Sequence, residues 1–89
     1  MTSGPGVARA GTDVIIRYWA SARAAAGRDS ECFTGHRVGD VLEAAAAAHA
    51  GLGVVLEVST ILLDGRPVTA SQRLSEGTIL EVLPPFAGG

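Results

Sequence analysis

The chain has 89 residues, with seven Arg, no Lys, nine acidic residues and a formal charge of −2 at pH 7. This length allows one domain with a single small core, in the size range where folding buries roughly 60% of the surface of the unfolded chain. The net charge is slightly negative and the arginines are scattered, so the sequence shows no basic patch for binding nucleic acid or an anionic membrane.

The N-terminal residues 1–12 hold three Gly and one Pro and lack the apolar stretch of a signal peptide. No apolar run in the chain approaches the roughly 18 residues that a membrane span requires. The single cysteine, Cys32, cannot form an internal disulfide. We therefore expect a soluble, cytoplasmic protein in which residues 1–12 form a flexible arm ahead of the fold.

The first strand is predicted from Asp13, where the sequence begins to alternate between two faces. The face expected to point into the core carries Val14, Ile16 and Tyr18, and the opposite face carries Ile15, Arg17 and Trp19. Residues 21–26 then predict a single helical turn that stops at Gly27, and residues 29–34 predict a short second strand.

The clearest helix is predicted between Val38 and His49, where apolar and small residues recur at helical spacing. These positions are Val38, Val41, Leu42, Ala45, Ala46 and His49. Asp40 in the first turn complements the helix dipole. Gly51 and Gly53 are expected to end the helix, with an irregular stretch through Glu57 after them.

The C-terminal half predicts a strand at 60–63 followed by the pair Asp64-Gly65, which favours a type I′ hairpin because both central residues of that turn need positive φ. The return arm is expected to begin at Val68. The last strand is predicted at 78–83, with Leu80 and Val82 facing the core. The pattern indicates an α+β domain over residues 13–83, a mixed sheet of four to five strands with one main helix on one face.

The last six residues form a separate feature: Pro84, Pro85, Phe86, Ala87, Gly88 and Gly89. Glycine lacks a Cβ atom, so a terminal Gly-Gly lets bare backbone enter a narrow channel and leaves the terminal carboxylate unhindered. We expect residues 84–89 to be an extended tail that threads into a partner's active site, with Gly89 as the reactive position. The alternative is an inert, flexible end.

The single cysteine and the two histidines give little indication of a catalytic or metal-binding site. Cys32 could act as a nucleophile or sulfur relay, but a lone cysteine in an alternating strand is expected to be a small core residue. His36 and His49 have no Asp or Cys at ligand spacing, so we expect them on turn and helix surfaces and predict no metal site.

A partner surface is predicted on the sheet face away from the helix. Trp19, Ile79 and Leu83 share that face if the first and last strands are neighbours, and they then form an exposed apolar patch leading into Phe86. Such patches are typical of partner interfaces. The alternative is that Trp19 packs under the Gly-rich arm or under a loop.

Taken together, the segments of the sequence resemble the MoaD/ThiS group of ubiquitin-like sulfur carriers, and most of all the small subunit of molybdopterin synthase. The segments that carry this resemblance are IIRYWASARAAAG, VGDVLEAA, ILLDGRPV, LSEGTILEVL and the terminal PPFAGG. The paired prolines favour the molybdopterin branch over the thiazole branch. The chain departs from the family pattern at Asp64, usually Asn, and at Arg37, where a Thr usually caps the helix at a benefit of about 1 kcal/mol.

The resemblance implies a ubiquitin-like β-grasp fold and a function as the sulfur-donating, non-catalytic subunit of molybdopterin synthase. An adenylating enzyme of the MoeB type would use ATP to activate the Gly89 carboxylate, and a sulfurtransferase would supply sulfur to form a thiocarboxylate. The thiocarboxylate would donate its sulfur to a cyclic pyranopterin monophosphate, the molybdenum-cofactor precursor, held by the large subunit. The resemblance also implies a heterotetramer with that subunit, a partner contact at Arg23 and no cofactor bound to this chain.

Two other classes of function remain open at this point. One is a carrier of the same chemistry in another pathway, namely thiazole synthesis, cysteine synthesis or tRNA thiolation, or a ubiquitin-like protein modifier. The other is a plain interaction domain whose glycine tail is inert.

Overall fold

Residues 11–85 are described by the computed structural model, and within this range the chain forms five strands and three helices. In chain order they are β1 Thr12–Tyr18, α1 Ala20–Ala26, β2 Ser30–Gly35, α2 Val38–Ala48, α3 Leu52–Val58, β3 Thr60–Leu63, β4 Arg66–Pro67 and β5 Ile79–Leu83. The strand order across the sheet is β2-β1-β5-β3-β4. The β1 and β5 strands are parallel, and the other neighbours are antiparallel.

The layout is that of a β-grasp domain, because a parallel central pair lies in an otherwise antiparallel sheet and the helices cover one face. The predicted α+β fold class is confirmed. The boundary predicted between arm and domain stays a prediction, since residues 1–10 lie outside the described range. Within that range β1 begins at Thr12, one residue earlier than expected.

The core lies between the sheet and the helices, and the inward residues of the two central strands form its centre. These strands bury Val14, Ile16, Tyr18, Leu80 and Val82 almost completely, as the alternation predicted. The helices add Ala22, Val38, Val41, Ala45 and Leu52, each with no exposed surface. Each large aliphatic side chain buried in this way contributes about 1.5 to 3 kcal/mol.

The start of α2 is stabilised without a capping hydroxyl. Arg37 has no acceptor atom in its side chain. Instead, the Asp40 carboxylate accepts hydrogen bonds from the backbone N–H groups of Arg37 at 2.9 Å and His36 at 3.0 Å. These two hydrogen bonds lower the pKa of Asp40, and the one from Arg37 has the larger effect. A residue of the first turn thus replaces the missing Thr cap.

The irregular stretch predicted after Gly51 is wrong, because residues 52–58 form the helix α3. Gly51 adopts a left-handed conformation with φ of 89°, which redirects the chain between α2 and α3. Leu52 then inserts into the core with no exposed surface. Tertiary burial of Leu52 therefore outweighs the weak helix preference of a segment that contains three valines.

The hairpin after β3 has the predicted turn. Asp64 and Gly65 have φ of 49° and 85°, as a type I′ turn requires. The Asp64 carboxylate also accepts a hydrogen bond from the backbone N–H of Ile79 at 3.0 Å, which ties the turn to β5. The return arm is β4, not Val68 as expected, because a two-residue loop places Arg66 directly opposite Leu63.

A partly buried polar cluster links β1, β2 and the end of α2. The Tyr18 hydroxyl donates a hydrogen bond to Glu31 Oε1 at 2.8 Å, and His49 Nε2 lies 2.7 Å from the same oxygen. Arg28 contacts Glu31 Oε2 at 3.3 Å. The His49 side chain is only 14% exposed, so its predicted surface position is wrong. Hydrogen bonding to Glu31 explains why a polar residue lies at this helix end.

The cluster sets the protonation of its members. Burial disfavours the charged form of Glu31, but the hydrogen bonds from His49 and Tyr18 outweigh burial, and the pKa of Glu31 is lowered below its ordinary value. Burial, followed by the hydrogen bond to Glu31, raises the pKa of the Tyr18 hydroxyl. Glu31 is therefore ionised across the neutral range and serves as the acceptor for its neighbours.

Replacing Glu31 by Gln tests this role. Because the folded-state pKa of Glu31 is depressed, its contribution is present above its unfolded-state pKa of about 4.5 and is lost as pH falls through the folded-state pKa. We expect E31Q to lower the free energy of unfolding by about 1 to 2 kcal/mol at pH 7, since hydrogen bonds to a charged acceptor are replaced by neutral ones.

Urea denaturation at pH 7, 5 and 3 provides the measurement. The difference between wild type and E31Q should shrink as the pH falls from 5 to 3. The control is E43Q, because Glu43 is an exposed carboxylate on α2. A difference for E31Q that is independent of pH would contradict an ionised Glu31.

Candidate functional site

The C-terminal tail starts from the centre of the sheet. The last strand β5 is paired on both sides, and its final residue Leu83 lies opposite Thr60 of β3. Pro84 is half-buried and Pro85 is exposed. Proline has no N–H to donate to a strand ladder, and neither Pro84 nor Pro85 belongs to a strand. Strand pairing of the described chain therefore ends at Leu83.

The remaining predicted tail residues, Phe86, Ala87, Gly88 and Gly89, lie outside the described residues. Their roles in threading and in activation stay predictions. The structure does establish where the tail is attached, which is the end of a fully paired central strand.

The predicted patch lies on the face of the sheet opposite the helices, called the outer face below. Its side chains come from the neighbouring strands β1 and β5, as expected. Trp19 and Ile79 are each 38% exposed, and Leu83 is half-buried. Ile15 is 45% exposed and lies opposite Ile79. Alternation already assigned Ile15 to this face, but the site prediction did not include it.

Charged side chains divide the outer face into two apolar parts. Arg17 and Glu81 lie opposite each other on β1 and β5, between Ile79 at one end and Leu83 at the other. The Arg17 guanidinium lies over the Trp19 ring at 5.1 Å from its centroid, and Trp19 Nε1 donates a hydrogen bond to Glu81 Oε2 at 3.3 Å. Trp19 is thus held on the outer face by its own neighbours. The patch is an apolar surface with a polar centre, not a continuous apolar strip.

Arg23 is not placed with this patch. It lies on α1, and its guanidinium contacts the Asp29 carboxylate at 3.3 Å. The two side chains are 60% and 82% exposed, so this ion pair contributes little to stability. A partner contact at Arg23 stays a prediction and would belong to a different part of the surface.

Cys32 is exposed, so its predicted core position is wrong. The register pairs Cys32 with Ile15, which places the thiol on the outer face, while the next residue, Phe33, packs against the core. Cys32 lines an open groove of about 370 Å³ at the end of the sheet where β1 and β5 begin. The tail leaves from the opposite end of β5. A relay of sulfur between Cys32 and the tail gains no support from this arrangement.

Over residues 11–85, no group of three or more His, Cys, Asp or Glu side chains could hold a metal ion. None of the helices described is both long and apolar enough to cross a membrane.

Comparison with known proteins identifies the family. The model of the ThiS family matches residues 16–89, which is most of the chain. The fold is similar to that of a putative molybdopterin converting factor, subunit 1, from Pyrococcus furiosus, with a TM-score of 0.76, 26% identity and coverage of 85% of this chain and 100% of that one. None of the curated proteins that were searched matches this chain.

Two more solved structures are similar in fold. SAMP1 from Haloferax volcanii has a TM-score of 0.78 at 23% identity, covering 86% of this chain and 99% of that one. A complex of subunits 1 and 2 of molybdopterin-converting factor from Helicobacter pylori contains a chain with a TM-score of 0.66 at 20% identity, covering 86% and 99%. Since the family match spans most of the domain together with the tail, the chain belongs to the ThiS family of ubiquitin-like sulfur carriers.

Proposed function

We propose that this chain is the sulfur carrier of a molybdopterin synthase. The observation that carries the proposal is the exit of the tail, because a fully paired central strand ends at Leu83 and is followed directly by Pro84-Pro85. The paired prolines are the feature that resembles the molybdopterin branch, and the similarity to the Pyrococcus furiosus protein supports the same branch.

The geometry suits a tail that works inside another protein. Residues 84–89 extend at most about 20 Å at roughly 3.3 Å per residue, which is long enough to reach a buried site. Pro-Pro restricts the first part of this length to extended conformations, and Gly-Gly keeps the last part narrow. The domain fixes the starting point and the direction of the tail, and the partner provides the catalytic groups.

The proposed chemistry takes place at the Gly89 carboxylate. A carboxylate is a poor electrophile, so an adenylating enzyme first joins it to AMP and releases pyrophosphate from ATP. A persulfide on the sulfurtransferase then displaces AMP to give an acyl disulfide, and a thiol reduces this disulfide by two electrons to release the thiocarboxylate. With free sulfide as the nucleophile, the thiocarboxylate forms directly. In the large subunit the thiocarboxylate sulfur attacks a carbon of the cyclic pyranopterin monophosphate and displaces an oxygen substituent from it. Hydrolysis of the thioester so formed leaves the sulfur on the precursor and restores the Gly89 carboxylate.

The outer face is the proposed contact with the large subunit. It lies beside the strand from which the tail leaves, and Trp19 and Leu83 are its apolar residues nearest to that exit. Aromatic residues at such positions commonly carry much of the binding energy of an interface. The similar Helicobacter pylori chain is in a complex of subunits 1 and 2 of molybdopterin-converting factor, which supports a large-subunit partner. The heterotetramer of two large and two small subunits is part of the proposal and follows from the family resemblance.

A sulfur carrier of another pathway or a ubiquitin-like modifier is the second candidate, because SAMP1 from Haloferax volcanii, a small archaeal modifier protein, is about as similar in fold as the Pyrococcus furiosus protein. Both candidates need the same activated tail. They differ in the acceptor, so adding a molybdopterin synthase large subunit and the pterin precursor to the thiocarboxylated protein separates them. Sulfur transfer to the precursor supports the molybdopterin pathway, and its absence favours another carrier pathway or a ubiquitin-like modifier.

Changes to the tail should separate function from stability. Deleting Gly88 and Gly89, or appending one residue after Gly89, should leave the melting temperature nearly unchanged, because the core lies within residues 11–85. Both changes should abolish thiocarboxylate formation, since the acyl carbon is removed or displaced. The readout is the intact mass after incubation with ATP, sulfide and the adenylating enzyme, where loading replaces one oxygen atom by sulfur.

The matched control for the tail variants is a one-residue extension at the N-terminus, which should load normally. Normal loading of the protein without Gly88 and Gly89 would end the carrier proposal. Failure of the wild-type protein to load with any matching activating enzyme would favour the inert interaction domain instead.

Substitutions on the outer face should weaken the large-subunit complex. We expect W19D and L83D each to cost at least about 2 kcal/mol of binding, roughly thirty-fold in Kd, while the domain stays folded. Isothermal titration calorimetry gives the affinity, and circular dichroism gives the fold. V54D and V58D are matched controls, because these valines of α3 are 68% and 64% exposed on the helical side. Equal losses in all four variants would contradict an interface on the outer face.

A further inference from the structure

The strand β2 forms one edge of the sheet, and its pairing with β1 fixes which of its backbone groups face outward. The backbone N–H of Tyr18 donates to the carbonyl of Asp29 at 2.8 Å, and these two residues continue the β1–β2 register. In an antiparallel ladder, hydrogen-bonded and non-hydrogen-bonded pairs alternate. Glu31 and Phe33 therefore bond to β1, whereas the N–H and C=O groups of Ser30, Cys32 and Thr34 point away from the sheet.

Nothing in residues 11–85 pairs with this outward edge. The backbone groups of Ser30, Cys32 and Thr34 make no turn, loop or cap hydrogen bond within that range, and β2 has no neighbour on this side. Sheet edges are usually protected against pairing by lysine, proline, a bulge or an inward-pointing charge that twists the strand. The segment SECFTG contains neither lysine nor proline. Its one charged side chain, Glu31, is hydrogen-bonded to Tyr18 and His49.

We propose that two copies of this chain associate through β2, antiparallel and related by a two-fold axis at Cys32. The axis places Cys32 opposite its own copy and Ser30 of one copy opposite Thr34 of the other. The two-fold axis also places Thr34 of the first copy opposite Ser30 of the second, which makes three outward-facing pairs. Each pair then exchanges two backbone hydrogen bonds, and the two sheets become one continuous sheet. The contact is self-complementary, as a two-fold interface requires.

The side chains of the strand suit a second copy of itself. Ser30, Cys32 and Thr34 are exposed and uncharged, so no like charges oppose each other across the axis. Within each copy the Thr34 hydroxyl already donates a hydrogen bond to the Asp13 carboxylate, so across the axis it accepts one from the Ser30 hydroxyl of the other copy. A six-residue edge buries much less surface than a stable dimer needs, so the association is weak and reversible. The tail leaves from β5, which β1 separates from the β2 edge, so pairing along β2 does not involve the strand that bears the tail.

Amide hydrogen exchange of the full-length protein over a range of concentrations tests the proposal. The amides of Ser30, Cys32 and Thr34 should exchange fast in dilute solution and become protected as concentration rises. The intervening amides of Glu31 and Phe33 should be protected throughout, because they already bond to β1. Sedimentation over the same range should show a doubling of mass.

Three variants make the test specific. C32K should abolish the dimer, since it places two positive charges face to face at the axis, whereas C32S should retain it. The double variant S30D/T34R should dimerise at least ten-fold more tightly, because opposite charges then face each other across the axis. Circular dichroism and thermal melts confirm that each variant is folded. If C32K fails to fold, the affinity of S30D/T34R and the exchange pattern of the wild type still test the proposal.

Three results would overturn the proposal. The first is a protein that stays monomeric at all concentrations, with no gain for S30D/T34R. The second is a dimer whose concentration-dependent protection falls on residues other than Ser30, Cys32 and Thr34. The third is protection of these three amides in dilute solution that disappears when residues 1–10 are deleted, which would assign the edge to the chain's own N-terminal segment.

Discussion

The parallel pairing of β1 with β5 is the constraint on which the rest of the structure depends. The two strands lie far apart in sequence. Their register determines which side chains contact the helices and which form the outer face. The same pairing holds the last strand in the middle of the sheet, where β3 secures its other side. The core, the apolar outer face and the starting point of the tail are therefore consequences of one contact.

Local sequence patterns predicted the parts of the fold that depend on short-range geometry. The period of two in β1 and β5 was sufficient to assign Ile16, Leu80 and Val82 to the core, and Asp64-Gly65 was sufficient for the hairpin. The helix α3 was not predictable, since its valines favour strands and its formation depends on the burial of Leu52. The position of His49 was missed for a similar reason, because its partner Glu31 is 18 residues away in the sequence.

The candidate site was predictable to a similar extent. Alternation placed Trp19, Ile79 and Leu83 on one face, provided that the first and last strands are neighbours, and the structure confirms this placement. The charges at the centre of that face could not be found in this way, because only the register puts Arg17 opposite Glu81. Cys32 was misplaced because β2 is short and mixes polar and apolar residues, so its sequence does not show which side faces the core.

The contacts around Trp19 affect how this face can be recognised. A free tryptophan on a surface samples several rotamers, and a partner that binds it must restrict that motion. Here the Arg17 guanidinium on the ring and the hydrogen bond to Glu81 restrict the side chain before any partner arrives. The ring is preorganised in the isolated domain, so less conformational entropy is lost in the complex than for an unrestrained aromatic residue of the same area.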